Sequence, residues 1–422
     1  MKTFKPKLFE VFKNYSKKQL AADVVAGIIV AIIALPLSIA LAIASGVSPE
    51  RGLYTAIVAG LVIACLGGSR VNISGPTAAF ATIVAGIVAK HGISGLAVAT
   101  LMAGAMLIIM GVLRIGSLIK YIPETITVGF TSGIAVTIVI GQIKDFLGLT
   151  FPVGTNAVDA IEKIEAIAKS ITTLNPLAVL VGVIALAILI VWPKVSKKIP
   201  GSLIAVLALT VFVLLTGLEV NTIGDLYTIS SSLPPFAFPE FDAQKIVQLI
   251  PDAFTIAILA AIESLLSCVV SDKMIDDMHN SNTELIAQGT GNICSALFGG
   301  IPATGAIART AANVKNGGRS PISGIVHALV LLLVLVICMP YAAWIPMPVI
   351  AAVLFIVAYN MSEWRHFVAI CKRKQIFDTA VLVLTFVFTV VFDLVVAIAV
   401  GLAVHYVIVL IKKIVDKKKS EA

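Results

Sequence analysis

Two charged side chains stand where charge is expensive. Glu263 is the only carboxylate in the apolar run 256–270, and Arg309 lies four residues beyond Gly305 in a segment interrupted by glycine and proline. An ionised carboxylate in such surroundings is costly unless it is paired, protonated or coordinating a cation, which makes Glu263 a candidate carrier of a coupling ion, a proton first of all. Ser264 and Ser267 share its segment, and Ser267 falls one helical turn away on the same face, so it joins Glu263 as a candidate coupling-ion residue. A guanidinium one turn beyond Gly305 suits the opposite task, adding a full positive charge behind a bound anion. A plain structural ion pair between the two is the alternative, and a pair that opens on binding would couple two ions.

The segment around Arg309 is one of two copies. Thr77-Ala78-Ala79-Phe80-Ala81-Thr82 returns as Thr304-Gly305-Ala306-Ile307-Ala308-Arg309, and each copy has a proline close before its threonine, Pro76 or Pro302. Each also follows a near-identical stretch, Ala64-Cys65-Leu66-Gly67-Gly68 or Ala296-Leu297-Phe298-Gly299-Gly300. Paired, interrupted segments at matching places in two halves of an apolar chain point to a transporter's central site, because broken helices offer backbone groups to a substrate. Val71-Asn72-Ile73 reads as a short extended stretch before the breaker Ser74-Gly75-Pro76. Two half-helices are therefore expected to begin near mid-membrane, at about Pro76 and Ala303, with their N-termini facing one another. Free N–H groups and positive dipole ends make that gap attractive to an anion. The small residues Ala78, Ala79, Gly305 and Ala306 let a ligand approach the backbone; close helix packing is the plainer explanation of the same residues.

These helices must sit in a bilayer. The chain has 422 residues, 59% of them hydrophobic and 13% charged, with a mean hydropathy of +1.04. Soluble domains carry about 25% charged residues, so most of this surface faces something other than water. The formal charge of +8 does not indicate a nucleic-acid partner, since the lysines sit between apolar runs and at both ends. Fourteen candidate spans centre near residues 34, 59, 82, 103, 132, 183, 208, 262, 290, 311, 330, 351, 385 and 402. With the lysine-rich N-terminus inside, every second connection holds the basic residues and the tail is inside too, which gives an even helix number. The domain reading is an amphipathic cytoplasmic segment at 1–20, a first repeat at 21–230, a second at 231–415 and a basic cytoplasmic tail at 416–422. The five cysteines and five histidines are scattered, so no metal and no cofactor is expected. No nucleophile with a base, paired catalytic carboxylates or phosphate loop occurs, which speaks against an enzyme.

With these residues in view the chain resembles the SulP family, the sulfate-permease-type anion transporters. The resemblance covers nearly the whole chain. It rests on Pro36-Leu37-Ser38, Gly52-Leu53-Tyr54, Gly75-Pro76-Thr77-Ala78, Pro123-Glu124, Val128-Gly129-Phe130, Glu263-Ser264, Gly299-Gly300 and the stretch from Ala306 to Thr310. It implies an all-α polytopic membrane protein of fourteen segments in a seven-plus-seven inverted repeat. Helices 1 to 4 and 8 to 11 would form a core domain and helices 5 to 7 and 12 to 14 a gate domain. Half-helices 3 and 10 would face each other, homodimers are common, and the core would move against the gate like an elevator. By the same resemblance Thr77 and Ala306 cup the anion, Leu41 closes over it, Arg309 lies behind it, and Glu263 matches an acidic position that handles sodium in some members and protons in others.

Three positions depart from the family pattern. Leu37 stands where many members have glutamine, and Ile307 where sodium-dependent bicarbonate carriers have a hydroxyl, which together with glutamate at 263 favours a proton over sodium. The residues stop at Ala422, directly after the last expected helix, so the family's cytoplasmic STAS domain is not expected here, whether by truncation or because the protein is naturally short. The sequence thus leads to secondary active, proton-coupled transport of a small anion (sulfate, bicarbonate or dicarboxylate) across a bacterial inner membrane with both termini cytoplasmic. A sodium-coupled bicarbonate symporter, an anion exchanger, an anion channel and a nucleobase carrier are the alternatives.

Overall fold

The computed structural model of the chain describes residues 4–408 apart from 12–14, 118–122, 153, 154, 156, 197, 198, 240–242, 374 and 393–395. The basic tail expected at 416–422 lies outside the described residues. Helix α1 (Lys7–Val11) is followed by α2 (Lys17–Ala44), α3 (Pro49–Leu66), strand β1 (Ser74–Gly75), α4 (Ala78–Val112), α5 (Glu124–Leu147), α6 (Ala160–Ser170), α7 (Pro176–Val195), α8 (Gly201–Thr216) and α9 (Ile223–Leu226). Then come α10 (Ala243–Ile275), α11 (Ser281–Leu297), strand β2 (Thr304–Gly305), α12 (Ile307–Lys315), α13 (Ile322–Cys338), α14 (Met347–Met361), α15 (Trp364–Lys372), α16 (Ile376–Val391) and α17 (Val396–Ile408). Among the described residues, eight helices are long and apolar enough to cross a membrane, and α8, α16 and α17 are shorter apolar helices.

The expected centres at 82 and 103 fall in one helix, α4, but Gly92 inside it has φ 69° and ψ −176°. That left-handed backbone, open to glycine without penalty, splits α4 into two arms. Within the segment 1–20, residues 1–3 and 12–14 lie outside the described residues. Among the described residues of that span, Lys7–Val11 is helical and α2 starts at Lys17, where Ser16 Oγ accepts the Gln19 N–H at 3.1 Å and caps the helix. The start of α2 is tied across the fold by Asp23, which accepts from Tyr15 Oη at 2.6 Å, Ser320 Oγ at 2.6 Å and the Arg319 N–H at 2.7 Å.

The helices pack in two groups. α2, α3, α4, α10, α11, α12 and α13 form one, and α5, α7, α8, α14 and α16 with the flanking α6 and α15 form the other, with fewer contacts between them. The two strands pair antiparallel in the first group, Ser74 with Gly305 and Gly75 with Thr304. Non-helical backbone at membrane depth must find its partners inside the protein. Here α12 serves the first break, where the Thr310 hydroxyl accepts the Ile73 N–H at 3.0 Å and Asn313 Nδ2 donates to Val71 O at 2.9 Å. The second break is served by α3 and α11. Thr55 Oγ1 accepts the Ile301 N–H at 2.7 Å, while Asn292 accepts the Ala303 N–H at 2.8 Å and donates to Ala303 O at 2.9 Å.

Candidate functional site

The antiparallel strand pair brings the start of α4 and the start of α12 together from opposite directions. α4 begins at Ala78, close to the expected position. α12 begins at Ile307 rather than near Ala303, because Thr304 and Gly305 are held in the ladder and the first helical bond runs from the Thr310 N–H to Ala306 O at 2.8 Å. The amides expected from Gly305 and Ala306 are already used: Gly305 N–H donates to Ser264 Oγ at 3.0 Å and Ala306 N–H to Ile73 O at 2.8 Å. The amides without a backbone acceptor are further on, those of Ile307, Ala308 and Arg309 at the start of α12 and those of Ala78 and Ala79 at the start of α4. Free N–H groups at a helix start are a general device for receiving an anion.

Side chains around this gap are small or apolar. Ala78, Ala79, Gly305 and Ala306 are buried, whereas Ile307 is 41% exposed. α2 packs against both half-helices, with Leu41 buried and Leu37 half-buried in the same apolar cluster. Thr77, half-buried at the end of β1, donates its hydroxyl to Glu263 Oε2 at 2.9 Å. Arg309 is buried, its Nη2 donates to Pro76 O at 2.7 Å, and its Nη1 has no hydrogen-bond partner among the described residues. A Cβ on Gly75 would lie 2.6 Å from that Nη1, so glycine is what lets the guanidinium come so close to the turn before α4. No ion pair joins Arg309 to Glu263 among the described residues; each charge has its own partner on the first break, which disfavours the simple structural pair.

Ser267 is not drawn to Glu263. Although it lies on the same helical face by spacing, its Oγ is 2.8 Å from Asn72 Oδ1 and 3.1 Å from Thr310 Oγ1, deeper against the strand crossing. Ser264 is bonded to Thr304, Oγ to Oγ1 at 2.7 Å.

Sequence reasoning missed the polar stripe of α11. Glu284 is fully buried and accepts from the Gly68 and Ser69 N–H groups at 2.9 and 3.2 Å, from Asn72 Nδ2 at 2.8 Å and from Gln288 Nε2 at 3.0 Å. Gln288 also donates to Ser74 Oγ at 2.9 Å, and Asn292 holds Ala303. A signal for it exists in the chain: Glu284, Gln288 and Asn292 repeat at four-residue spacing, a polar line among apolar residues. Glu284→Ala would orphan several buried donors at about 1–3 kcal/mol each, so the variant is expected to lose thermal stability in detergent by more than a surface control does. A melting midpoint equal to wild type would remove Glu284 from the support of the site.

A broken-helix membrane transporter is the class that this fold and gap define. Residues 20–385 match the Sulfate permease family, and the chain belongs to that family. It is 46% identical over 384 residues to "Putative sulfate transporter YvdB" of Bacillus subtilis (strain 168), covering 89% of this chain and 71% of that protein. It is 34% identical over 360 residues to "Bicarbonate transporter BicA" of Picosynechococcus sp., covering 82% of this chain and 62% of that one. Among solved structures, the transmembrane domain of a cyanobacterial bicarbonate transporter BicA superposes with a TM-score of 0.83 at 30% identity, over 91% of this chain and 98% of that one. SLC26A9 superposes with a TM-score of 0.87 over 96% of this chain and 68% of that one, at 20% identity, a likeness of fold alone.

Proposed function

We propose that the chain carries a small oxyanion, of the sulfate or bicarbonate kind named for its relatives, against its gradient by coupling to a proton. The observation that carries this reading is the hydrogen bond from Thr77 to Glu263 at the start of α4. A threonine hydroxyl has one proton to give. While it donates to the ionised carboxylate it does not donate to an anion in the gap. When Glu263 takes up a proton, it donates to Thr77 Oγ1, and the hydroxyl proton is free to turn to the anion. Anion and proton thereby bind together, which is what symport demands. Thr77, Ala78, Ala79, Ala306 and Ile307 line the anion's place, Leu37 and Leu41 wall it, Gly305 shapes the crossing, and Arg309 supplies positive potential through the Pro76 turn. Glu263 holds the coupling ion, and Ser267 supports the strand crossing through Asn72 and Thr310 instead.

The two packing groups serve as a moving core and a static gate in this reading. The two arms of α4 count as separate spans, giving fourteen crossings in two inverted sets of seven with both termini on the cytoplasmic side of the plasma membrane. Uptake of labelled sulfate, bicarbonate and chloride into proteoliposomes, under an inward proton gradient, an inward sodium gradient or neither, tests the reading. Accumulation that requires the proton gradient is expected. Accumulation that follows sodium, or uptake indifferent to both gradients, would transfer the chain to sodium symport or to exchange.

A further inference from the structure

A cavity of about 520 Å³ lies between the two helical groups, with α4 and α10 on one side and α5, α6, α16 and the start of α17 on the other. It follows the two helices that carry Thr77 and Glu263. Thr82 on its wall is about 8 Å along α4 from Thr77, and Thr255 about 12 Å along α10 from Glu263. Two lysines from different groups line it, Lys90 at the end of the first arm of α4 and Lys163 on α6. Its two acids are already engaged. Asp159 caps α6, with Glu162 completing the box, and Asp252 faces His91 Nε2 at 3.7 Å. Neither lysine has a carboxylate within ion-pair distance among the described residues, and the Lys163 ammonium is half-buried against α5 near Gly141. Burial holds Lys163 below the ordinary lysine range, opposed by the nearby Asp159 and Glu162 charges.

Taking the chain as an anion carrier, we propose that this cavity is a second, low-affinity anion subsite, in which Lys90 and Lys163 hold the small anion before it reaches the amides at the starts of α4 and α12. On the proposed orientation it opens to the outer face. The lysines come from opposite groups, so the subsite exists only while the cavity between them is open, and movement of one group against the other separates or crowds them. An exposed and a half-buried ammonium group attract an anion by charge, without selecting among anions of one size, and that attraction weakens with salt.

Kinetics of labelled sulfate and bicarbonate uptake in proteoliposomes test this with wild type, Lys90→Gln, Lys163→Gln and the double variant. The double variant is expected to show a KM roughly 5- to 10-fold higher at low salt with kcat unchanged, the difference closing at about 0.5 M of a bulky organic salt that is not carried. Lys163→Arg, which keeps the charge, is expected to retain the wild-type KM. An unchanged KM in the double variant, or a fall in kcat at constant KM, overturns the subsite while leaving anion transport in place. Wild-type vesicles that take up neither anion under any gradient would overturn the functional reading itself, and the subsite with it.

Discussion

Glu263→Gln is expected to abolish gradient-driven accumulation of the anion while the protein folds and inserts normally. Glutamine keeps an oxygen able to accept from Thr77 Oγ1, which lies 2.9 Å from Glu263 Oε2 in the native chain, so the local hydrogen bond survives. What it loses is the ability to exchange a proton. Anion binding to the variant is therefore expected to stay within about fivefold of wild type, because a neutral hydrogen bond is worth only about 1 kcal/mol. Uptake in the variant should run down the anion's own gradient, and its dependence on external pH should flatten. Paired measurements of binding and of proton-driven uptake check this. Wild-type accumulation with a preserved pH profile would remove Glu263 from coupling. Loss of binding together with loss of uptake would make the carboxylate part of the anion's own site.

The second large effect is expected at Arg309. Its Nη2 donates to Pro76 O at 2.7 Å, and the charge stands directly behind the turn that starts α4. Arg309→Ala leaves that carbonyl without its donor and withdraws a full positive charge from the gap between the half-helices. Hydrogen bonds to charged groups contribute about 1.5–3 kcal/mol, and each 1.4 kcal/mol is a factor of ten, so anion affinity should fall roughly 10- to 100-fold. Arg309→Lys restores the charge but not the planar fork, and should fall between the two. Titration of the purified variants with sulfate and bicarbonate decides the matter. Equal affinity in wild type and Arg309→Ala would place the anion away from this turn, and equal affinity in Arg309→Lys and Arg309→Ala would make the role geometric, not electrostatic.

The two breaks are legible in residue type and spacing. Glycine and proline beside repeated small residues have few uses inside an apolar run, and the paired copies at Thr77 and Thr304 mark where helices must stop. Glu263 is legible for the same reason, since a carboxylate has no inert place among apolar neighbours. The start of α12 is not. Gly299, Gly300 and Pro302 announce a break, but how far it runs depends on Thr304 and Gly305 finding partners in β1 and Ser264. Gly92 is equally hard to read, because one glycine in an apolar stretch looks the same whether it packs or bends the chain.

Class, the presence of the two paired breaks and the costly charge are therefore determined by the sequence alone, because each follows from residue type and spacing over a few turns. Tertiary structure alone decides which group each polar side chain serves. Ser267 shares a helical face with Glu263, yet it bonds Asn72 and Thr310. Glu263 instead meets Thr77, 186 positions away in the chain, and Glu284 meets Asn72 across 212. In a membrane interior, where water satisfies no stray donor or acceptor, such pairings are fixed by which helices pack together, and helical periodicity records the face a residue shows without recording the neighbour that face will meet.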